Sequence, residues 1–185
     1  MLRYEIGPAA LELVTGDIVG QDVDAIVNAA NEGLAAGGGV CGAIFRAAGR
    51  RELAAACAPL APCPTGEARI TPGFRLAARH VIHAVGPVYR RSDPAGSARL
   101  LASAYASSLA LAERHGLASV AFPSISTGIF GYPVEDAAGV ALAAVRDALA
   151  GARSVRLVRF VLWDQRSFEA YARAAAGLGL EGAQG

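Results

Sequence analysis

Two short stretches carry residue types that could do chemistry. "GGGVCGAIFRAAG" at 37–49 places three glycines before a helical pattern, and "STGIFG" at 126–131 places two hydroxyls and two glycines shortly ahead of another. Backbone without side chains at a helix start presents unpaired N–H groups and the positive end of the helix dipole, which suits an anion, with phosphate the natural candidate. Two such loops suit two linked phosphates; read singly, either could equally be an ordinary glycine turn. Gly37, Gly39 and Gly42 match the G-x-G-x-x-G spacing of a dinucleotide fold. That reading fails on context, because the preceding strand ends near Asn28 and no acidic residue closes a following strand about twenty positions on.

The other reactive side chains point to little further chemistry. Cys41, Cys57 and Cys63 lack the CxxC or Cys/His spacing of a zinc site, so no metal and no cofactor is expected. Their odd number, with no signal peptide, fits a reducing cytoplasm. His83 alternates with Val81 and Val85 and reads as a hydrogen-bonded core residue; His80 begins the same strand, and His115, before Gly116, reads as a solvated helix end. The 17 basic residues are all arginine and face 16 acidic ones, so the net charge of +1 gives no general field for a polyanion. Arg46, Arg50 and Arg51 cluster, but beside Glu52, and nucleic acid is not an expected partner. No run is long and apolar enough to cross a membrane, and a monomer is expected.

The elements that must position these residues alternate between strand and helix. Strands are read around Leu11 to Val14, Asp24 to Asn28, "RHVIHAVG", "SVAFPSI" and "VRLVRFVLW". Helices follow the glycines, occupy "RELAAACAPL" up to Pro59 and Pro62, and run from a Ser97 N-cap to Gly116. Two more cover Val134 to Ala150 and Ser167 to Leu178, while "CPTGEARITPGF" reads as a hairpin-like excursion. This is one α/β domain over residues 1–185, a three-layer α/β/α sandwich around a mixed, mostly parallel sheet. In such sheets ligands sit beyond the carboxyl ends of the strands, where Asp17, the segment from Asn28 to Cys41 and the segment from Ser124 to Pro133 fall.

Taken together, "GDI" at 16–18, "VDAIVNAAN" at 23–31, "GGGVCGAIFRAAG", "VIHAVGP" at 81–87 and "SISTGIFGYP" at 124–133 resemble the macrodomain family, most closely its MacroD-type branch. The resemblance implies binding of ADP-ribose and its removal from acidic side chains of modified proteins, or from O-acetyl-ADP-ribose. Carried onto this chain, it makes Asp17 the acceptor for the adenine amino group, with the Ile18 backbone beside it. Gly38, Gly39 and Val40 would line one side of the diphosphate and Ser126, Thr127, Gly128 and Ile129 the other. Phe130 would lie against the distal ribose and Trp163 against the adenine. Asn31 would hold the distal ribose hydroxyls, and Asn28 would tie down the loop. From the residues alone, Asp17 could merely shape its turn, and either aromatic could be core packing.

The chain departs from the family at Cys41, where MacroD-type hydrolases carry an aspartate proposed to activate water, and at Phe45, often a histidine there. A neutral thiol is a poor base. Three readings stay open: a water held by Gly38, Gly39 and Asn31 attacks with the ligand's own phosphate as base; the protein binds ADP-ribose without cleaving it; or Cys41 is itself a nucleophile. All three require that the turns near Val40 and Gly128 converge.

Overall fold

The computed structural model describes residues 1–182. Seven strands form one sheet: β1 (Leu2–Ile6), β2 (Ala9–Thr15), β3 (Ala25–Ala29), β4 (Ala68–Pro72), β5 (His80–Ala84), β6 (Ser119–Phe122) and β7 (Leu157–Leu162). Their spatial order is β1-β2-β7-β6-β3-β5-β4. The strands from β2 to β5 in that order are parallel, and the outer β1 and β4 run antiparallel to their neighbours. Helices α1 (Gly39–Ala48) and α2 (Arg50–Cys57) cover one face; α3 (Pro94–Arg114), α4 (Val134–Ala150) and α5 (Gln165–Gly177) cover the other.

Two apolar cores follow from the two-residue period of the buried strands. Along β5, Val81, and Val85 just past its end, pack toward α1 and α2, while Ile82 and Ala84 pack toward the longer helices. The larger core centres on a chain of rings, in which Phe160 lies 5.7 Å from Phe122, 5.8 Å from Tyr105 and 5.0 Å from Tyr171 between centroids.

Two sequence expectations are corrected. Strand β1 was not anticipated, although Leu2, Tyr4 and Ile6 alternating with Arg3 and Glu5 carry its signal. Ser97 is not the cap of α3: Asp93 accepts from the Gly96 amide at 2.9 Å, and Pro94 opens the helix. A proline with preset φ after an aspartate starts the helix a turn earlier, which leaves Ser97 buried, its hydroxyl accepting from the Arg90 amide. The segment read as hairpin-like does pair back, as β4 on β5.

Phe160 is fully buried in the ring cluster, so Phe160→Ala is expected to lower unfolding stability by about 3–5 kcal/mol, read from urea denaturation.

Candidate functional site

Because β2, β7, β6, β3 and β5 are parallel, their carboxyl ends share one edge, and five loops gather there. Following the strand order, these contribute Asp17, Trp163, the 123–133 loop, the 30–38 loop and Gly86.

The loop after β3 is shaped by Asn31. Its Oδ1 accepts from the Ala35 amide at 3.0 Å and its Nδ2 donates to the Ala35 carbonyl at 2.9 Å. This double clasp holds Leu34 in the left-handed region at φ 51, with its side chain buried. An amide oxygen has two lone pairs and its nitrogen two hydrogens, so Asn31 keeps one of each for another partner. The chain then enters α1 through Gly38, which has no side chain to cap the helix. The amides of Gly39, Val40 and Cys41 are therefore left free of intrahelical partners. A Cβ at Gly38 or Gly39 would meet nothing within 4 Å; the backbone there faces open space. Gly39 is also held at φ 54, a conformation that favours glycine.

The loop after β6 leans over the end of β3 to reach the far neighbour, β5. A Cβ on Gly86 would collide with Ser126 Oγ and Ile125 Cγ2, so the bare backbone of Gly86 is what lets the loop sit down. Ser126 adopts φ 67, and its buried hydroxyl finds no partner among the described residues. Tyr132 donates to the Ser126 carbonyl at 2.9 Å, Gly131 to that of Gly128 at 3.0 Å, and the Thr127 hydroxyl to that of Ser124 at 2.9 Å. With those carbonyls turned inward, the amides of Thr127, Gly128, Ile129 and Phe130 bond to no acceptor among the described residues. Glu135 and Asp136 in the first turn of α4 offset the positive end of its dipole.

The turns near Val40 and Gly128 thus follow adjacent parallel strands, β3 and β6, and open on the same edge. At the other end of that edge, Asp17 Oδ1 accepts from the Val19 amide at 3.1 Å and caps a 3-10 turn, so it does shape its turn. Its Oδ2 has no partner among the described residues. Trp163 is 79% exposed and Phe130 half-buried, so neither aromatic is core packing. Asp164, which accepts from the Ser167 amide at 2.8 Å as the cap of α5, fixes the backbone beside Trp163, and that bond lowers its carboxyl pKa.

The Macro domain family model matches residues 27–141, more than half of the chain. The protein belongs to the macrodomain family. A macro domain-containing protein of Chlorobaculum tepidum is 51% identical over 166 residues, covering 90% of this chain and 95% of that protein. One from Cupriavidus necator is also 51% identical, covering 87% and 94%. The Oceanobacillus iheyensis macrodomain solved with ADP superposes with a TM-score of 0.89 at 40% identity, covering 95% of both chains. The Trypanosoma brucei macrodomain in complex with ADP-ribose gives 0.81 at 38% identity, covering 89% of this chain and 68% of that one.

Beneath the glycine loop, this macrodomain carries a buried polar chain that ends in Cys41. The thiol is 7% exposed; it donates to the Ala35 carbonyl at 3.6 Å and accepts from Asn28 Nδ2 at 3.7 Å. Asn28 Nδ2 also donates to His83 Nδ1 at 3.1 Å. His83 must then carry its proton on Nε2, which points at Thr71 Oγ1 at 3.0 Å, and Thr71 donates onward to the Pro72 carbonyl. Cys57 lies 3.6 Å from the same Nε2; burial, helped by neighbouring Cys41, pushes its pKa up to about 11. Phe45, where the family often has histidine, packs edge-on to His83. Among the described residues, no group of three His, Cys, Asp or Glu side chains converges as a metal site. Sequence reading missed Leu34, Thr71 and Gly86: only the glycine of "AVGP" offers a local signal, and the others are revealed by φ or by cross-strand pairing.

Burial holds the His83 pKa down at about 4 against an ordinary 6.5. Protonation therefore favours the unfolded chain, so the stability contributed by the neutral ring is complete above pH ~6.5 and is lost as pH falls through about 4. The loss is on the order of 3 kcal/mol. Urea midpoints measured between pH 7 and 4 should fall more steeply for wild type than for His83→Gln; equal slopes would contradict this account.

Proposed function

We propose that this macrodomain binds ADP-ribose and hydrolyses the ester between ADP-ribose and acidic side chains of mono-ADP-ribosylated proteins, and the related ester in O-acetyl-ADP-ribose. The observation that carries the reading is the pair of loops with unpaired amides that follow adjacent parallel strands and open on one edge. An extended adenine-ribose-diphosphate-ribose ligand fits the order of groups along the edge. Adenine lies at Asp17, Ile18 and Trp163, the diphosphate between Gly38, Gly39, Val40 and Ser126, Thr127, Gly128, Ile129, and the distal ribose by Phe130 and Asn31. The Asp17 carboxylate only accepts, which suits the amino group of adenine and opposes the carbonyl of guanine. The free lone pair and hydrogen of Asn31 serve the ribose hydroxyls.

In the hydrolysis of an acyl ester at C1″, the protein-linked case, a water lodged by Gly38, Gly39 and Asn31 forms a bond to C1″ as the bond from C1″ to the carboxylate oxygen breaks. Positive charge develops on the sugar, as in glycoside cleavage, and the adjacent diphosphate stabilises it. A phosphate oxygen takes the water's proton and releases it to solvent, while the acid departs as its carboxylate with the bonding electrons. No protein carboxylate is required. Cys41 has no part in proton transfer here: its sulfur is directed to Ala35 and Asn28, which supports a packing role over that of nucleophile. The second reading, a module that binds ADP-ribose without cleaving it, is favoured by this same thiol standing where the family has an aspartate.

Incubation with a glutamate-ADP-ribosylated protein should release free ADP-ribose. Cys41→Ala should keep the rate within about threefold, against the loss of about 100-fold or more that follows removal of a general base. Asn31→Ala, which frees the loop and the ribose, should lower it by about 100-fold. Tight binding without release would leave the non-catalytic reading, and absence of saturation at millimolar ADP-ribose would overturn both. Gly86→Ala should weaken ADP-ribose binding by about tenfold or more in calorimetry, because the added methyl lifts the Ser126 loop.

A further inference from the structure

A row of charged side chains crosses three strands and ends at the Asp17 turn. Arg3, Glu12 and Arg159 are cross-strand neighbours on β1, β2 and β7. Glu12 is buried, and each of its carboxylate oxygens takes one guanidinium: Oε1 that of Arg3 at 2.7 Å, Oε2 that of Arg159 at 2.7 Å. Arg159 reaches further, donating from Nη1 to Gln21 Oε1 at 3.1 Å. Gln21 Nε2 donates to the Asp17 carbonyl at 3.0 Å, and the Gln21 amide closes the 3-10 turn on the Ile18 carbonyl at 3.2 Å.

The direction of every bond in this row is dictated by its charged members. A carboxylate only accepts and a guanidinium only donates, so Arg159 must meet the oxygen of the Gln21 amide. The nitrogen is then left to face Asp17, and the amide cannot flip without setting two donors against each other. Arg159 is in turn held by the buried Glu12, where a charge-assisted bond is stronger than a neutral one.

We propose that Arg159 and Gln21 are positioning residues that fix the Asp17 turn and thereby set the preference for adenine over a purine that lacks its amino group. The proposal rests on the assignment of adenine to Asp17. Neither residue touches the ligand; Glu12 anchors Arg159, Arg159 orients Gln21, and Gln21 holds the backbone from which the Asp17 carboxylate projects.

Base preference separates positioning from general stability. Affinity is measured by calorimetry for ADP-ribose and for its inosine counterpart, in which a carbonyl replaces the adenine amino group. Wild type should favour ADP-ribose. Gln21→Met and Gln21→Glu both lack the donor to Asp17 while leaving the Glu12 pairs intact, and each should narrow the ratio of the two affinities by about 3- to 10-fold, the worth of one oriented hydrogen bond. The melting temperature should move little. Arg159→Met should act in the same direction, but it also strips a partner from a buried carboxylate, so the decision rests on the Gln21 variants. An unchanged ratio in both, or equal weakening of both ligands, overturns the proposal. Failure of wild type to bind ADP-ribose would instead remove the functional reading itself, and this inference with it.

Discussion

The parallel pairing of β3 with β6 is the constraint on which the candidate site depends. These strands are far apart in sequence, and their union brings two unrelated turns to one edge. Parallel strands end in the same direction, so each turn leaves its last amides beyond the reach of the sheet ladder. The fold thus produces a concentration of unpaired donors as a by-product of its topology. What the sequence adds is the removal of side chains from that backbone and a means of holding each turn open.

Holding them open involves strained backbone at both turns. Leu34 and Ser126 occupy left-handed conformations that cost a non-glycine residue roughly 1–2 kcal/mol. Each is over-determined by its surroundings: Leu34 by the Asn31 clasp and its own burial, Ser126 by the Tyr132 bond and the seat at Gly86. Strain of this kind clusters at functional sites, and here it brackets the phosphate-binding candidate from both sides. Beneath it, the chain from Cys41 through Asn28 to His83 and Thr71 supplies a buried, hydrogen-bonded floor that contains no carboxylate.

The three layers, the order of the helices and the loops at 37–41 and 126–131 were legible in the sequence because their signals are local. Glycine runs, a two-residue strand period and a three-to-four-residue helix stripe all operate within a few positions. His83 was read correctly as core because Val81 and Val85 flank it at the strand period. Ser97 misled because an acceptable cap residue lay one turn inside a better one, Asp93 followed by Pro94. The link between Gln21 and Arg159 had no local trace at all, since it joins residues that only the β2 and β7 pairing brings together. Gly86 is visible locally as a glycine after a strand, but its need for a bare backbone becomes visible only when the β6 loop is laid across it.

Trp163 is the single tryptophan of the chain, and it stands largely in water at the rim of the edge. Its indole is therefore an intrinsic optical probe, unconfounded by a second emitter of its kind. A planar base laid against that ring would change the polarity around it and quench or blue-shift its fluorescence. The molecule can thus signal occupancy of the proposed purine end without any attached label.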